Sequence, residues 1–388
     1  MTDMNVTAAE PPVSSVQTDR AAGQSARLEC LDALRGIAAL VVFIQHAFSM
    51  FPVPARNSLA GVLFRLQHRL LSGAAAVDLF FVLSGFVLAL PYVGARPKEM
   101  SYADFMIRRI TRLYPAYWIA VAVALLMRLT FSARLHATAL THWSAMHWTA
   151  PLTVRELLHT VAMVLPINGL ALNTVFWSLI VEMQVSLLLP FFILAFGATA
   201  RIRYSVLILG ASVLISTTMA DQSGLQFLPL FILGVTLARH RTDITAALGR
   251  LSSRWMLVLL ALSMVPIEAR AYVPWQFPDL RPEYMSGFGA GLLIMLVLGR
   301  PRLSKWVVNP VTRLLGTASY SFYLLHVPIL LVVVPLIFGL SGSITLSVAT
   351  ALAVSLGVAE IVYRVVEVPC QLSGRRLGRR VAEWVNWR

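Results

Sequence analysis

Residues 31–51, LDALRGIAALVVFIQHAFSMF, form an apolar stretch long enough to cross a bilayer as a helix. It carries two groups that hydrocarbon rejects, Arg35 and His46. At about 100° per residue their separation amounts to three turns and roughly 20°, so both side chains share one helix face, about 16 Å apart along the axis. Burying them costs several kcal/mol unless they face a bundle interior or a wet cavity. A functional pair is one role open to them. The other is an arginine that snorkels to headgroups and a histidine bonded to a neighbouring helix.

Composition extends this reading to the whole chain. Hydrophobic residues make up 58% of the 388 and charged residues only 13%, about half the share in a soluble domain. The expectation is an all-α polytopic transmembrane bundle of about ten helices, with no room for a separate soluble enzyme domain. Residues 1–28, rich in Ala, Ser, Thr, Pro and Gln, read as a disordered cytoplasmic tail, 29–366 as the transmembrane domain and 367–388 as a basic cytoplasmic tail. The first span lacks a small-x-small cleavage pattern and is expected to stay as an anchor. Cys30 and Cys370 lie near opposite ends of the sequence, and no Cys/His spacing suits a metal.

Apolar runs at 31–51, 75–93, 113–131, 176–197, 204–219, 225–238, 255–267, 286–299, 315–338 and 343–363 are the candidate helices, and 155–172 could add an interfacial one. With both termini cytoplasmic, most Lys and Arg residues fall in cytoplasmic segments, which accounts for most of the +14 net charge without nucleic acid. Basic loops of this kind bind anionic membrane lipids. That orientation puts Arg35, Arg108, Arg109 and Arg112 at the cytoplasmic side. His46, Asp78 and Glu182 fall in the outer half, with Trp177 above Glu182 and His326 near the midplane.

Clustered arginines suit phosphates, while a histidine near a carboxylate suits work on a hydroxyl. Each residue also has a plain structural role open to it. The arginines can be topogenic charge, Asp78 a helix cap, His326 a satisfied core histidine, and Ser84 part of a Ser-Gly packing contact. Glu182, inside an apolar helix, needs a partner in either case.

LDALRGIAALVVFIQH, VDLFFVLSGFVL, RRITRLYPAYW, FWSLIVEMQVSLLLP and SYSFYLLHVP together resemble, in order and spacing, the membrane acyltransferase-3 family, which O-acylates surface glycans and other hydroxylated acceptors. The resemblance implies about ten helices and an acyl-coenzyme A donor on the cytoplasmic side. It places the family's first-helix basic residue and histidine on Arg35 and His46, its Arg-x-x-Arg on Arg109 and Arg112, its fourth-helix Trp and Glu on Trp177 and Glu182, and its later histidine on His326. The expected chemistry is transfer of an acyl group, acetyl above all, in the cell (inner) membrane, with no permanently bound cofactor or metal. Arg109 and Arg112, helped by Arg108 or Arg35, would hold the donor phosphates. His46 would act as base or acyl carrier, oriented by Asp78 or Glu182.

The acceptor is unspecified beyond a glycan or other hydroxylated molecule. An outer loop with His136, His142, Trp143, His147 and Trp148 could stack on sugars or form an interfacial belt. The competing class is a proton-coupled transporter or flippase of a glycolipid using Arg35, His46 and Glu182 as a relay, although no repeated halves are visible.

Overall fold

Each of the ten apolar runs falls mainly within helical structure in the computed structural model, which describes residues 15–55, 58, 61–62, 64–65, 71–93, 97–196, 201–218, 224–269 and 281–386. The described residues contain no strand. Residues 1–14 of the expected tail and the loop arginines 56, 69, 96 and 270 lie outside them.

In chain order the helices are α1 (Ser15–Ser49), α2 (Gly73–Ala89), α3 (Tyr102–Thr138), the short α4 (His142–Ala145), α5 (Val154–Ala162), α6 (Phe176–Phe196) and α7 (Ile202–Thr218). Then come α8 (Leu228–Arg250), α9 (Ser253–Ala269), α10 (Pro282–Gly299), the short α11 (Pro301–Val307) and α12 (Pro310–Thr317), α13 (Ser319–Ser341), α14 (Ile344–Val362) and, after a π turn at Tyr363–Glu367, α15 (Val368–Asn386). Among the described residues, five helical segments are long and apolar enough to cross a membrane, and shorter apolar helices include Gly73–Ala89. The protein is a multi-pass membrane bundle.

Three boundaries differ from the sequence expectation. Residues 15–28, read as disordered tail, continue α1, because Ala, Gln and Arg prolong an existing helix more cheaply than they start one. The third helix starts at Tyr102 instead of 113: Ser101 caps it by accepting from the Asp104 N–H, and Arg108 pairs with Asp104 one turn back. The three arginines therefore sit on a helix, not in a loop. The basic tail is likewise helical.

The core around the site is set by α1, which packs on α2, α12 and α13, and by α2, which crosses α8. At that crossing a Cβ on Gly85 would run into the Phe231 backbone. The small residue after Ser84 thus allows the close approach that its Ser-Gly context implied.

Candidate active site

Two imidazoles meet where α1 crosses α13. The rings of His46 and His326 meet edge to edge and nearly coplanar, with centroids 5.2 Å apart and planes at 14°, and His46 Nδ1 lies 2.9 Å from His326 Nε2. His326 Nδ1 in turn lies 2.7 Å from the Tyr323 carbonyl oxygen. A carbonyl only accepts, so Nδ1 of His326 carries a hydrogen, and in the neutral ring its Nε2 carries a lone pair. His46 must then donate through Nδ1, which leaves the lone pair of His46 on Nε2. A main-chain carbonyl thus determines, two bonds away, which nitrogen of His46 is basic.

The ring is held from outside α1 as well. Trp143 of α4 stacks on it at 5.4 Å and 22°. α4 is anchored by a capping box between Thr141 and Ser144 and by the Thr141 hydroxyl, which donates to the Ser49 carbonyl at the end of α1. His147 follows, bonded through Nδ1 to the Trp143 carbonyl at 2.7 Å, and burial holds its imidazole below the ordinary histidine range. Trp148 is 3% exposed and donates its indole N–H to the Leu172 carbonyl. Trp148 is therefore packed inward, while the half-buried Trp143 lies against the His46 and His147 rings.

The expected carboxylate partner of His46 is absent from this arrangement. His326 occupies that place. Asp78 is fully buried and accepts from Ser286 of α10, and Glu182 lies with the arginines. The displacement of Glu182 has a structural cause. Tyr114, Tyr117 and Trp118 of α3 donate to the carbonyls of Ala162, Thr160 and Val161 at the end of α5, so the chain descends along α3 before α6 begins. Phe176, the first residue of α6, accordingly packs on Tyr117 at 4.8 Å, and six residues further on Glu182 arrives opposite Arg109.

At that level a cavity of about 230 Å³ is lined by Arg35, Arg109, Arg112, Glu182, Ser84 and Tyr323, among others. Arg109 donates to Glu182 at 2.8 Å and to Ser186 at 3.0 Å, and Ser84 donates to Glu182 at 3.0 Å. Arg35 pairs with Asp32 at 3.2 Å. Arg108 is set apart. It pairs with Asp104 at 2.7 Å and lines a neighbouring cavity, while Arg109 and Arg112 line both. Trp177 packs against Phe81 and Phe227, away from the cavity wall. Tyr323 also lines this cavity; its hydroxyl bonds Ser178 at 2.8 Å and its carbonyl orients His326. Tyr323 therefore borders the arginine cavity and contacts the histidine pair.

The model of the acyltransferase domain family matches residues 28–364, most of the chain. The chain belongs to the acyltransferase-3 family. Among curated relatives it is similar to the O-acetyltransferase OatA of Staphylococcus aureus, 25% identical over 354 residues that cover 81% of this chain and 55% of the relative. It is also similar to the peptidoglycan O-acetyltransferase OatA of Listeria monocytogenes, 24% identical over 339 residues, 78% and 52% of the two chains. A shorter match of 38% over 99 residues, 25% of this chain and 44% of the relative, is to protein 2 in the picA locus of Rhizobium radiobacter. The chain spans about half the length of the curated relatives it matches. No solved structure matches.

The acyltransferase-3 match encloses both the histidine pair and the arginine cavity, and it stops three residues short of Glu367. Sequence reasoning missed Ser84 as a Glu182 partner, and it missed Tyr323 and Glu367 altogether. Tyr323 was within reach: it lies three residues before His326, hence on the same helix face. Glu367, 3% exposed and accepting from Ser321 at 2.9 Å, sat in what read as the start of a tail.

Proposed function

We propose that this protein is an integral membrane O-acyltransferase that moves an acetyl group from acetyl-coenzyme A to a hydroxyl of a carbohydrate or similar acceptor outside the cell membrane. The observation that carries the proposal is an arginine-lined cavity with Tyr323 in its wall, the residue whose carbonyl orients His326 and, through it, fixes the lone pair of His46 on Nε2.

Coenzyme A is a thioester donor with a pyrophosphate and a 3′-phosphate. Arg112, with Arg109 already braced by Glu182 and Arg35 close by in the same cavity, supplies fork-shaped donors for the pyrophosphate oxygens. The acceptor hydroxyl gives its proton to His46 Nε2 as its oxygen attacks the thioester carbonyl; the C–S bond breaks, and the leaving thiolate takes up the proton from the imidazolium. His326 steadies the transient positive charge through the Nδ1–H···Nε2 bond, the part a carboxylate plays in a hydrolase triad.

Purified protein in nanodiscs, given acetyl-coenzyme A labelled on the acetyl group and cell-surface polysaccharide, is expected to move label to the polysaccharide and release free thiol in equal amounts. Movement of a glycolipid across the membrane with no thiol release would instead make it a transporter.

The proposal also needs its two ends on opposite faces. In a background with Cys30 and Cys370 replaced, a cysteine at Thr138, at the end of α3, is expected to react with an impermeant maleimide outside intact cells. A cysteine at Lys305 is expected to react only after the membrane is opened. The reverse pattern would put the histidine end inside.

A further inference from the structure

The C-terminal helix is built into the cationic end of the bundle. Glu367 at the end of the π turn, and Gln371 and Arg375 in α15, recur every four residues and so follow one side of this helical segment. Glu367 accepts from Ser321 of α13 and from Gln371 at 3.0 Å, which ties the start of the helix to the core. Further on, a Cβ at Gly374 would collide with Thr111, and one at Gly378 with Asp104, so α15 lies directly on the part of α3 that carries Arg108 and Arg112. Between them is a second cavity of about 260 Å³ with Lys98, Arg108, Arg112 and Arg375 in its wall. Its lining also includes two carboxylates, Glu99 and Asp104, the latter engaged by Arg108. This cavity shares Val87, Leu88, Arg109 and Arg112 with the first, so an elongated molecule can occupy both.

We propose that this second cavity binds the nucleotide end of the donor and that Arg375, outside the family-matched segment, holds its 3′-phosphate. The inference rests on acyl-coenzyme A being the donor. A phosphate is the chemistry that several cations around a concave wall select. A lipid headgroup also offers one, but Tyr92 and Phe105 in the same wall give an adenine ring two aromatic neighbours that a headgroup does not need. The acyl-pantetheine arm would then lie in the first cavity, pointing toward Tyr323.

Binding calorimetry in zwitterionic nanodiscs with coenzyme A and 3′-dephospho-coenzyme A tests this without an acceptor. Wild-type protein is expected to bind coenzyme A roughly tenfold more tightly than the dephospho form. Arg375→Ala should remove that preference by weakening coenzyme A alone, and Arg375→Lys should retain part of it. Arg376→Ala, which removes the same charge from the adjacent position outside the cavity wall, should behave as wild type. Equal losses for both ligands, or none, in Arg375→Ala would overturn the assignment. So would a lipid effect in which phosphatidylglycerol competes with coenzyme A in wild type but not in Arg375→Ala, since that would give the cavity to a headgroup. Wild-type protein that binds neither compound would defeat the donor itself, which is a separate result from a wild type that binds both equally.

Discussion

His46→Ala leaves less than about one hundredth of wild-type acetyl transfer, the usual contribution of a positioned general base, while insertion and purification stay normal. The same assay on His326 separates a relay from a packing role. His326→Leu fills much of the volume but offers no acceptor to the His46 Nδ1–H, so His46 loses its tautomeric bias and falls toward the alanine level. His326→Gln carries an amide oxygen that can accept that bond, so it should retain several-fold more activity than His326→Leu. Equal activity in the two His326 variants would mean that the ring contributes only packing, and turnover above about a tenth of wild type in His46→Ala would remove it as the base.

Arg109→Ala carries the largest expected effect on stability. Its side chain is 5% exposed and Glu182, which lines the cavity, is 18% exposed, so truncation leaves a partly buried carboxylate with Ser84 as its remaining hydrogen-bond donor, a cost at or below the lower end for a buried pair. Breaking a buried pair by removing one member costs about 3–5 kcal/mol, and the thermal midpoint in detergent should fall accordingly. Donor binding should fall with it. The double variant Arg109→Leu with Glu182→Leu separates the two roles, because replacing both charges by apolar groups restores much of the stability while leaving donor binding impaired. If the double variant binds coenzyme A as wild type does, the pair is structural only.

Much of the site was legible as a list of residues and little of it as a set of contacts. The apolar runs located the helices that carry Arg35, His46, Asp78, Glu182 and His326, though not the short α4 or α15, since in lipid each spanning segment must satisfy its own backbone and therefore shows as a continuous hydrophobic stretch. Arg35, His46, Glu182 and His326 stood out for the same reason, as charges or imidazoles where hydrocarbon forbids them. The resemblance to the acyltransferase-3 family pointed to those positions too. Pairing was another matter. Shared depth in the outer half makes Asp78 or Glu182 the expected partner of His46, but depth does not fix pairing, and α5, held along α3 by Tyr114, Tyr117 and Trp118, leads into an α6 whose Glu182 meets Arg109.

What the sequence determined by itself is the class of molecule, the helices and the faces that carry its polar groups, because hydrophobic length and the 3.6-residue period are properties of one segment at a time. Only the tertiary structure decided that His46 meets His326 instead of a carboxylate, that Arg109 takes Glu182, and that a basic C-terminal segment walls a cavity. Those outcomes depend on how helices far apart in the chain are shifted and rotated against one another. That is set by side-chain packing, such as the Gly85 crossing on Phe231 and Gly374 lying on Thr111, which no single segment encodes.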